Sequence, residues 1–235
     1  MGTIKGHVRL TGKLPGNPVI RMGMDPKCAE LNRGKMVIQE SVMAAADGSL
    51  ADVFVALQGT FPRTPVPSEA VTLDQRQCVF RPRVVGLRAG QTLQVTNDDN
   101  LLHNVHSSSA HGNRFNVSQP KAGIVERLTM KDEELMVHLS CDVHRWMNAY
   151  VGVVDHPYFA VTDGAGRFTI ANVPAGTVTI RAWQERYGFV SKTVTVRAGA
   201  TSTIDFTYTG TEKANLHDVR ELHFSMTDQS LSMSD

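Results

Sequence analysis

The chain has no apolar run approaching the roughly 20 residues that a membrane-spanning helix requires, so no membrane span is expected. It also lacks an excess of either charge: 24 Lys and Arg face 23 Asp and Glu, a formal net charge of +1. That balance provides no basic footprint for a nucleic acid or an anionic membrane surface, and neither is expected as a partner. The opening Met1-Gly2-Thr3-Ile4-Lys5-Gly6 has none of the basic and apolar regions of a secretory leader, so the chain is expected either to be cytosolic or to have lost one. Cysteine is scarce as well. Three are too few for a disulfide scaffold, and the odd number leaves at least one thiol outside any bridge. What is present is 235 residues with 41% hydrophobic content, enough for one large domain or two small ones.

Strand signals dominate. Short alternating β-branched runs bounded by Gly, Pro, Asn and Asp occur at Ile4 to Leu10, Val53 to Leu57, Thr92 to Val95, Val178 to Trp183, Thr193 to Val196 and Thr203 to Tyr208. Turn clusters such as Asp163-Gly164-Ala165-Gly166 and Pro174-Ala175-Gly176 separate the later ones. The expected fold class is all-β, built of sandwiches. Helix is expected at most over Asp25 to Leu31 and in the tail from Thr211 to Met226, where Leu216, Val219, Leu222 and Phe224 fit neither period cleanly. Three prolines in Phe61-Pro62-Arg63-Thr64-Pro65-Val66-Pro67 exclude a strand or helix interior and mark a linker at a domain boundary.

The most informative residues are Cys141-Asp142-Val143-His144-Arg145-Trp146-Met147. Thiolate, imidazole and thioether together suit copper, whereas structural zinc takes four Cys or His ligands and has no use for the thioether. In Met136 to Cys141, alternation puts Val137, Leu139 and Cys141 on one face and Met136, His138 and Ser140 on the other. A thiol thus arrives from the core side at a strand end, and the next loop supplies His and Met. An inert buried thiol, the common fate of a lone cysteine, does not predict that company. Upstream, Asp98-Asp99-Asn100-Leu101-Leu102-His103-Asn104-Val105-His106 offers two further histidines. Three residues apart on an extended chain, they face opposite ways, so one of them points at a metal.

These two motifs resemble the cupredoxins, the small blue copper proteins, with a ligand loop similar in spacing to the amicyanin type. The resemblance spans Val71 to Val154 and includes Pro82, Gly90-Gln91-Thr92 and Asn97. It implies one type 1 copper ion held by His103, Cys141, His144 and Met147, with Asn104 behind them and His106 the competing upstream ligand. It also implies that the His144 ring edge reaches the surface in an apolar patch to which Trp146 and Tyr150 contribute. Val143 stands where amicyanin has a proline and offers an additional N–H to the thiolate. His138 is expected at the surface, His111 in solvent, and His156 packed or capping a turn.

Residues Tyr158 to Tyr208 resemble the carboxypeptidase regulatory-like or transthyretin-like β-sandwich, but contain too few strands to close one. Ile4 to Pro15 looks like that family's opening strand and turn, and Ala51 to Leu57 like its second strand. The expected organisation is therefore a copper domain at 66–157 inserted into a split sandwich formed by 2–60 and 158–209, with a tail at 210–235. A tandem order, with 1–157 as one decorated cupredoxin, is the alternative. Cys28 and Cys78 then fall on opposite sides of the junction, where a bridge would tie insert to host; two separate buried thiols is the other reading.

The function these readings imply is an electron carrier outside the cytoplasm, in a bacterial periplasm, exchanging with a redox partner protein. No base, nucleophile or oxyanion site is evident, so no enzyme is expected. Copper capture or delivery is the alternative, with the second sandwich as docking module and His106, His111, His217, His223 and ten methionines as extra weak sites. A copper enzyme would need an open coordination position, against which Met147 argues.

Overall fold

A computed structural model describes residues 1–213. The helix considered from Thr211 to Met226, His217, His223 and the polar end from Thr227 lie wholly or largely outside the described residues. The chain opens with β1 (Gly2–Leu10), α1 (Pro26–Leu31) and β2 (Phe54–Gln58). Then follow β3 (Val71–Arg76), β4 (Val79–Arg81), β5 (Val84–Arg88), β6 (Thr92–Asn97) and β7 (His103–Ser107). β8 (Asn116–Gln119), β9 (Val125–Thr129), β10 (Glu134–Ser140) and β11 (Asn148–Val154) come next. The last six are β12 (Phe159–Val161), β13 (Arg167–Val173), β14 (Gly176–Gln184), β15 (Gly188–Val196), β16 (Thr201–Thr203) and β17 (Phe206–Tyr208).

The strands form two β-sandwiches. In one, the order β5-β11-β10-β7-β8 faces β4-β3-β6-β9 across a core of Leu73, Leu87, Leu93, Val95, Val105, Leu139 and Val151. In the other, β1 pairs with β13, β16 and β17, opposite the sheet β12-β2-β14-β15, around Ile4, Val8, Leu50, Ile180, Phe206 and Tyr208. The proline-rich stretch Phe61 to Pro67 carries no strand or helix, as its composition requires.

Alternation is clean where one face meets water and is lost where both faces are covered. β11 turns Ala149, Val151 and Val153 into the first core, and Val154 into a third cluster with Phe54, Val84, Met136 and Trp183 between the sandwiches. A strand covered on both sides reads as a continuous apolar run. Gly86 and Gly152, partners in the parallel β5–β11 pair, leave room there for the Phe54 ring. A Cβ would come within 2.8 Å of that ring at Gly86 and 2.5 Å at Gly152. Beside them Arg83 grips Glu185 through two hydrogen bonds of 2.7 Å, and Glu185 also accepts from the Tyr150 hydroxyl at 3.2 Å. Removing one partner of a buried pair strands the other charge, so Glu185→Ala should cost about 3–5 kcal/mol in denaturant unfolding. A loss below about 1 kcal/mol, the range of exposed pairs, would mean that water reaches Arg83.

The last expected strand, Thr203 to Tyr208, is broken into β16 and β17. Both pair parallel with β1 in one register, Lys5 against Thr203 and Val8 against Phe206. Between them the His7 N–H donates to the Asp205 carboxylate at 2.9 Å. A side chain thus interrupts the backbone ladder.

Candidate metal centre

β10 ends at Ser140 and β11 begins at Asn148, so the Cys141 to Met147 loop bridges neighbouring antiparallel strands. It folds back on itself: Met147 N–H donates to the His144 carbonyl at 2.8 Å, and Cys141 N–H to the Met147 carbonyl at 3.3 Å. Three-residue spacing lets the His144 N–H reach the Cys141 sulfur at 3.4 Å. His103, the first residue of β7, comes in from the same sheet. All four are buried, at 0% exposure for His103 and Met147 and 2% for Cys141 and His144.

The Nδ1 atoms of His103 and His144 face each other at 3.0 Å, and the Cys141 sulfur lies 3.8 Å from the His144 Nδ1. Each ring's far nitrogen is held by a carboxylate: His103 Nε2 by Asp99 at 3.0 Å, His144 Nε2 by Asp25 at 2.9 Å. Asp99 also accepts the backbone N–H groups of Gln77 and Cys78, at 2.8 and 2.7 Å. Despite its burial, the His103 contact and those two N–H groups keep its carboxyl below the usual range. Asp25 is lowered chiefly by His144. Burial alone would push the Cys141 thiol up. Hydrogen bonds from His103, His144 and the N–H groups of Asn104 and His144 outweigh it and bring the thiol down to about 6. Burial likewise disfavours charge on the two rings, yet Cys141 with Asp99 or Asp25 raises the pKa of both.

This donor set fits a metal cation. Carboxylates only accept, so both Nε2 atoms carry hydrogen, and in the neutral form, which a metal ligand must take, the rings aim two Nδ1 lone pairs at each other beside a thiolate. Three electron-pair donors converge in a buried space, and a cation between them relieves the repulsion. Among the described residues neither carboxylate pairs with a Lys or Arg. Two imidazoles and one thiolate with a buried methionine in the same loop match copper better than zinc.

Of the four residues singled out in the sequence, His103, Cys141 and His144 bring their donor atoms within 4.8 Å of one another, Met147 is buried in the same loop as the last two, and His106 does not join them. Its ring is 44% exposed and meets Asp142 at 3.0 Å. Asn104 stands behind the centre, with its Oδ1 accepting the Asp142 N–H at 2.6 Å. His156 packs and caps as expected, accepting the Tyr158 N–H and bonding the Leu57 carbonyl.

Several expectations are corrected. The His144 edge does not reach the surface, because Asp25 covers it. Tyr150 builds no patch beside it: the ring packs on Trp183, 4.9 Å between centroids, in the contact between the sandwiches. The N–H groups that reach the thiolate belong to Asn104 and His144, not Val143. His138 is half-buried and bonds Asn148. Cys28 and Cys78 are bridged, but both sit in the core of the sandwich that carries the centre. Asp99 and Asp25 had been assigned no role. Asp99 is four residues before His103, a readable spacing, and Asp25 before Pro26 reads as a helix cap. Nothing in the sequence pairs Asp25 with a histidine 119 residues away.

The architecture is all-β, with one sandwich holding the candidate centre and a second sandwich beside it. The family model of the carboxypeptidase regulatory-like domain matches residues 147–209, so the match begins at Met147, the last residue of the loop, and runs through β11 and the strands after it. No curated protein sequence matches the chain. Among solved structures, a purple cupredoxin from Nitrosopumilus maritimus is 22% identical over 35% of this chain and 97% of its own, with a TM-score of 0.31. Amicyanin from Paracoccus versutus is 20% identical over 42% of this chain and 96% of its own, with a TM-score of 0.32. A copper-containing nitrite reductase from Thermus scotoductus is 20% identical over 41% of this chain and 24% of its own, at 0.31.

Proposed function

We propose that this protein is a mononuclear type 1 copper protein that carries electrons outside the cytoplasm, with His103, Cys141, His144 and Met147 as the copper ligands. The observation that carries this reading is the buried convergence of two imidazole Nδ1 atoms on a thiolate, each ring backed by a carboxylate. Bound there, copper would supply a one-electron couple. The protein's share is to keep the donors still. Cys141 directly follows the end of one strand, His103 begins another, and the carboxylates fix the tautomer and orientation of both rings. Burial excludes water and keeps the site in one geometry through a change of charge.

The same burial favours a carrier over a protein that hands its metal on. The Cys28–Cys78 disulfide supports an oxidising compartment. Among the described residues no helix is long and apolar enough to cross a membrane. The strand pairing of β1 and β2 with β12 to β17 supports an organisation in which 66–157 is inserted into a sandwich of 2–60 and 158–209. The partner is a redox protein.

Adding one equivalent of Cu(II) to metal-free protein should produce an intense visible band that ascorbate bleaches and air restores. A colourless product, or rapid loss of the metal to a chelator, would overturn the reading.

A further inference from the structure

The arm between β1 and β2 is a long excursion from the sandwich in which it starts. It packs Met22 and Cys28 into the core of the other sandwich and lays Asp25 over His144. The Asp25 carboxylate divides its two oxygens. Oδ1 caps α1 by accepting the Lys27 and Cys28 N–H groups, both at 3.0 Å, while Oδ2 takes the His144 Nε2. The cap therefore aims the carboxylate. Cys28 is then bonded through sulfur to Cys78, and the Cys78 N–H donates to Asp99, which holds the other imidazole. Asn32 ties the arm further, with its Nδ2 donating to the carbonyls of Cys28 and Gln77 at 2.9 and 3.0 Å. The ligand loop joins in, since the Trp146 Nε1 donates to the Cys78 carbonyl at 2.8 Å.

We propose that Asp25 is a positioning residue for the metal centre and that the Cys28–Cys78 disulfide is the clamp that keeps it on His144. One disulfide links the anchors of both imidazoles, making a continuous belt around the outer side of the site. Asp25 holds the hydrogen on Nε2, directs the Nδ1 lone pair inward and adds anionic character to the ring. An outer carboxylate makes an imidazole a stronger donor and favours the more highly charged state of the metal. Cutting the clamp should free Asp25 and weaken His144 as a donor while all four proposed ligands stay in place; because the Cys28 sulfur also lies 3.5 Å from the His144 Nε2, the Asp25 variants, which keep that sulfur, isolate the carboxylate's share. This proposal rests on the copper reading only for the identity of the metal.

Three variants test it: Asp25→Asn, which keeps a capping oxygen without the charge, Asp25→Ala, and the double change Cys28→Ser with Cys78→Ser. In metal-free protein, ¹H–¹⁵N spectra of the imidazole rings should place a slowly exchanging hydrogen on the His144 Nε2. Asp25→Ala and the double variant should both release it to fast exchange, and His103 should keep its own. In copper-loaded protein, each Asp25 variant should bind Cu(II) about 10–100-fold more weakly while Cu(I) affinity changes less. A tenfold selective loss corresponds to a rise of about 59 mV in reduction potential. If the variants only lower the melting temperature, leaving His144 ring exchange and the Cu(II) to Cu(I) affinity ratio unmoved, the arm is packing and the proposal fails. Should copper not bind at all, the ring spectra of metal-free protein still decide the role of Asp25.

Discussion

Cys141→Ser, titrated with one equivalent of Cu(II), is expected to remain colourless where the unaltered protein turns blue or green. The substitution removes one atom's identity and little else. The serine hydroxyl can accept the His144 N–H that the sulfur accepts, so the loop closure through Met147 and His144 persists. What is lost is ionisation. The Cys141 thiol is brought down to about 6 by the groups around it and is an anion at neutral pH, whereas a hydroxyl stays protonated there. Charge transfer from a thiolate is the source of the colour, so the intense band should vanish altogether. Far-ultraviolet circular dichroism should match the parent. A variant that keeps the band would remove Cys141 from the ligand set.

His103→Ala should be nearly as severe, and His106→Ala nearly silent. The first empties a fully buried position and leaves the Asp99 carboxylate with its two backbone donors but without its imidazole. A hydrogen bond to a charged group contributes about 1.5–3 kcal/mol, so stability should fall by at least that much, and the visible spectrum should lose or shift its main band. His106 lies at the surface against the exposed Asp142, and its loss should stay within the roughly 1 kcal/mol of an exposed pair. Spectra and denaturation curves of the two variants distinguish them directly. The reverse outcome would move the ligand to His106.

The ligand loop was legible because three of its donors sit within seven residues, a spacing that one turn between adjacent strands brings together. Strand alternation showed that only one of His103 and His106 can face the centre, and the resemblance, not the alternation, singled out His103. The strands were readable wherever one face meets solvent, as in β6, and less so in β11, whose other face is covered by the second sandwich. The break between β16 and β17 could not be read because it depends on Asp205 meeting a backbone N–H almost two hundred residues away. The cover over His144 was illegible for the same reason. A capping aspartate before a proline announces a helix start, and its second oxygen carries no trace of the use to which tertiary packing puts it. The expectation of an exposed His144 came from resemblance, and the arm that overturns it lies outside the resembling span.

The pairing of β1 has a consequence for how the chain is made. Its partners, β13, β16 and β17, begin at Arg167, Thr201 and Phe206, so β1 leaves the ribosome well over a hundred residues before any of them. At about 5–20 residues per second that delay is on the order of ten to thirty seconds. During it β3 to β11 can close their own sheets, while β1 presents bare edges to its neighbours. Lys5 and Arg9 lie exposed on one face of it, and charges of this kind on an open strand discourage it from joining another chain. The same side chains that keep one face of the finished sheet wet thus guard the nascent strand until its partners arrive.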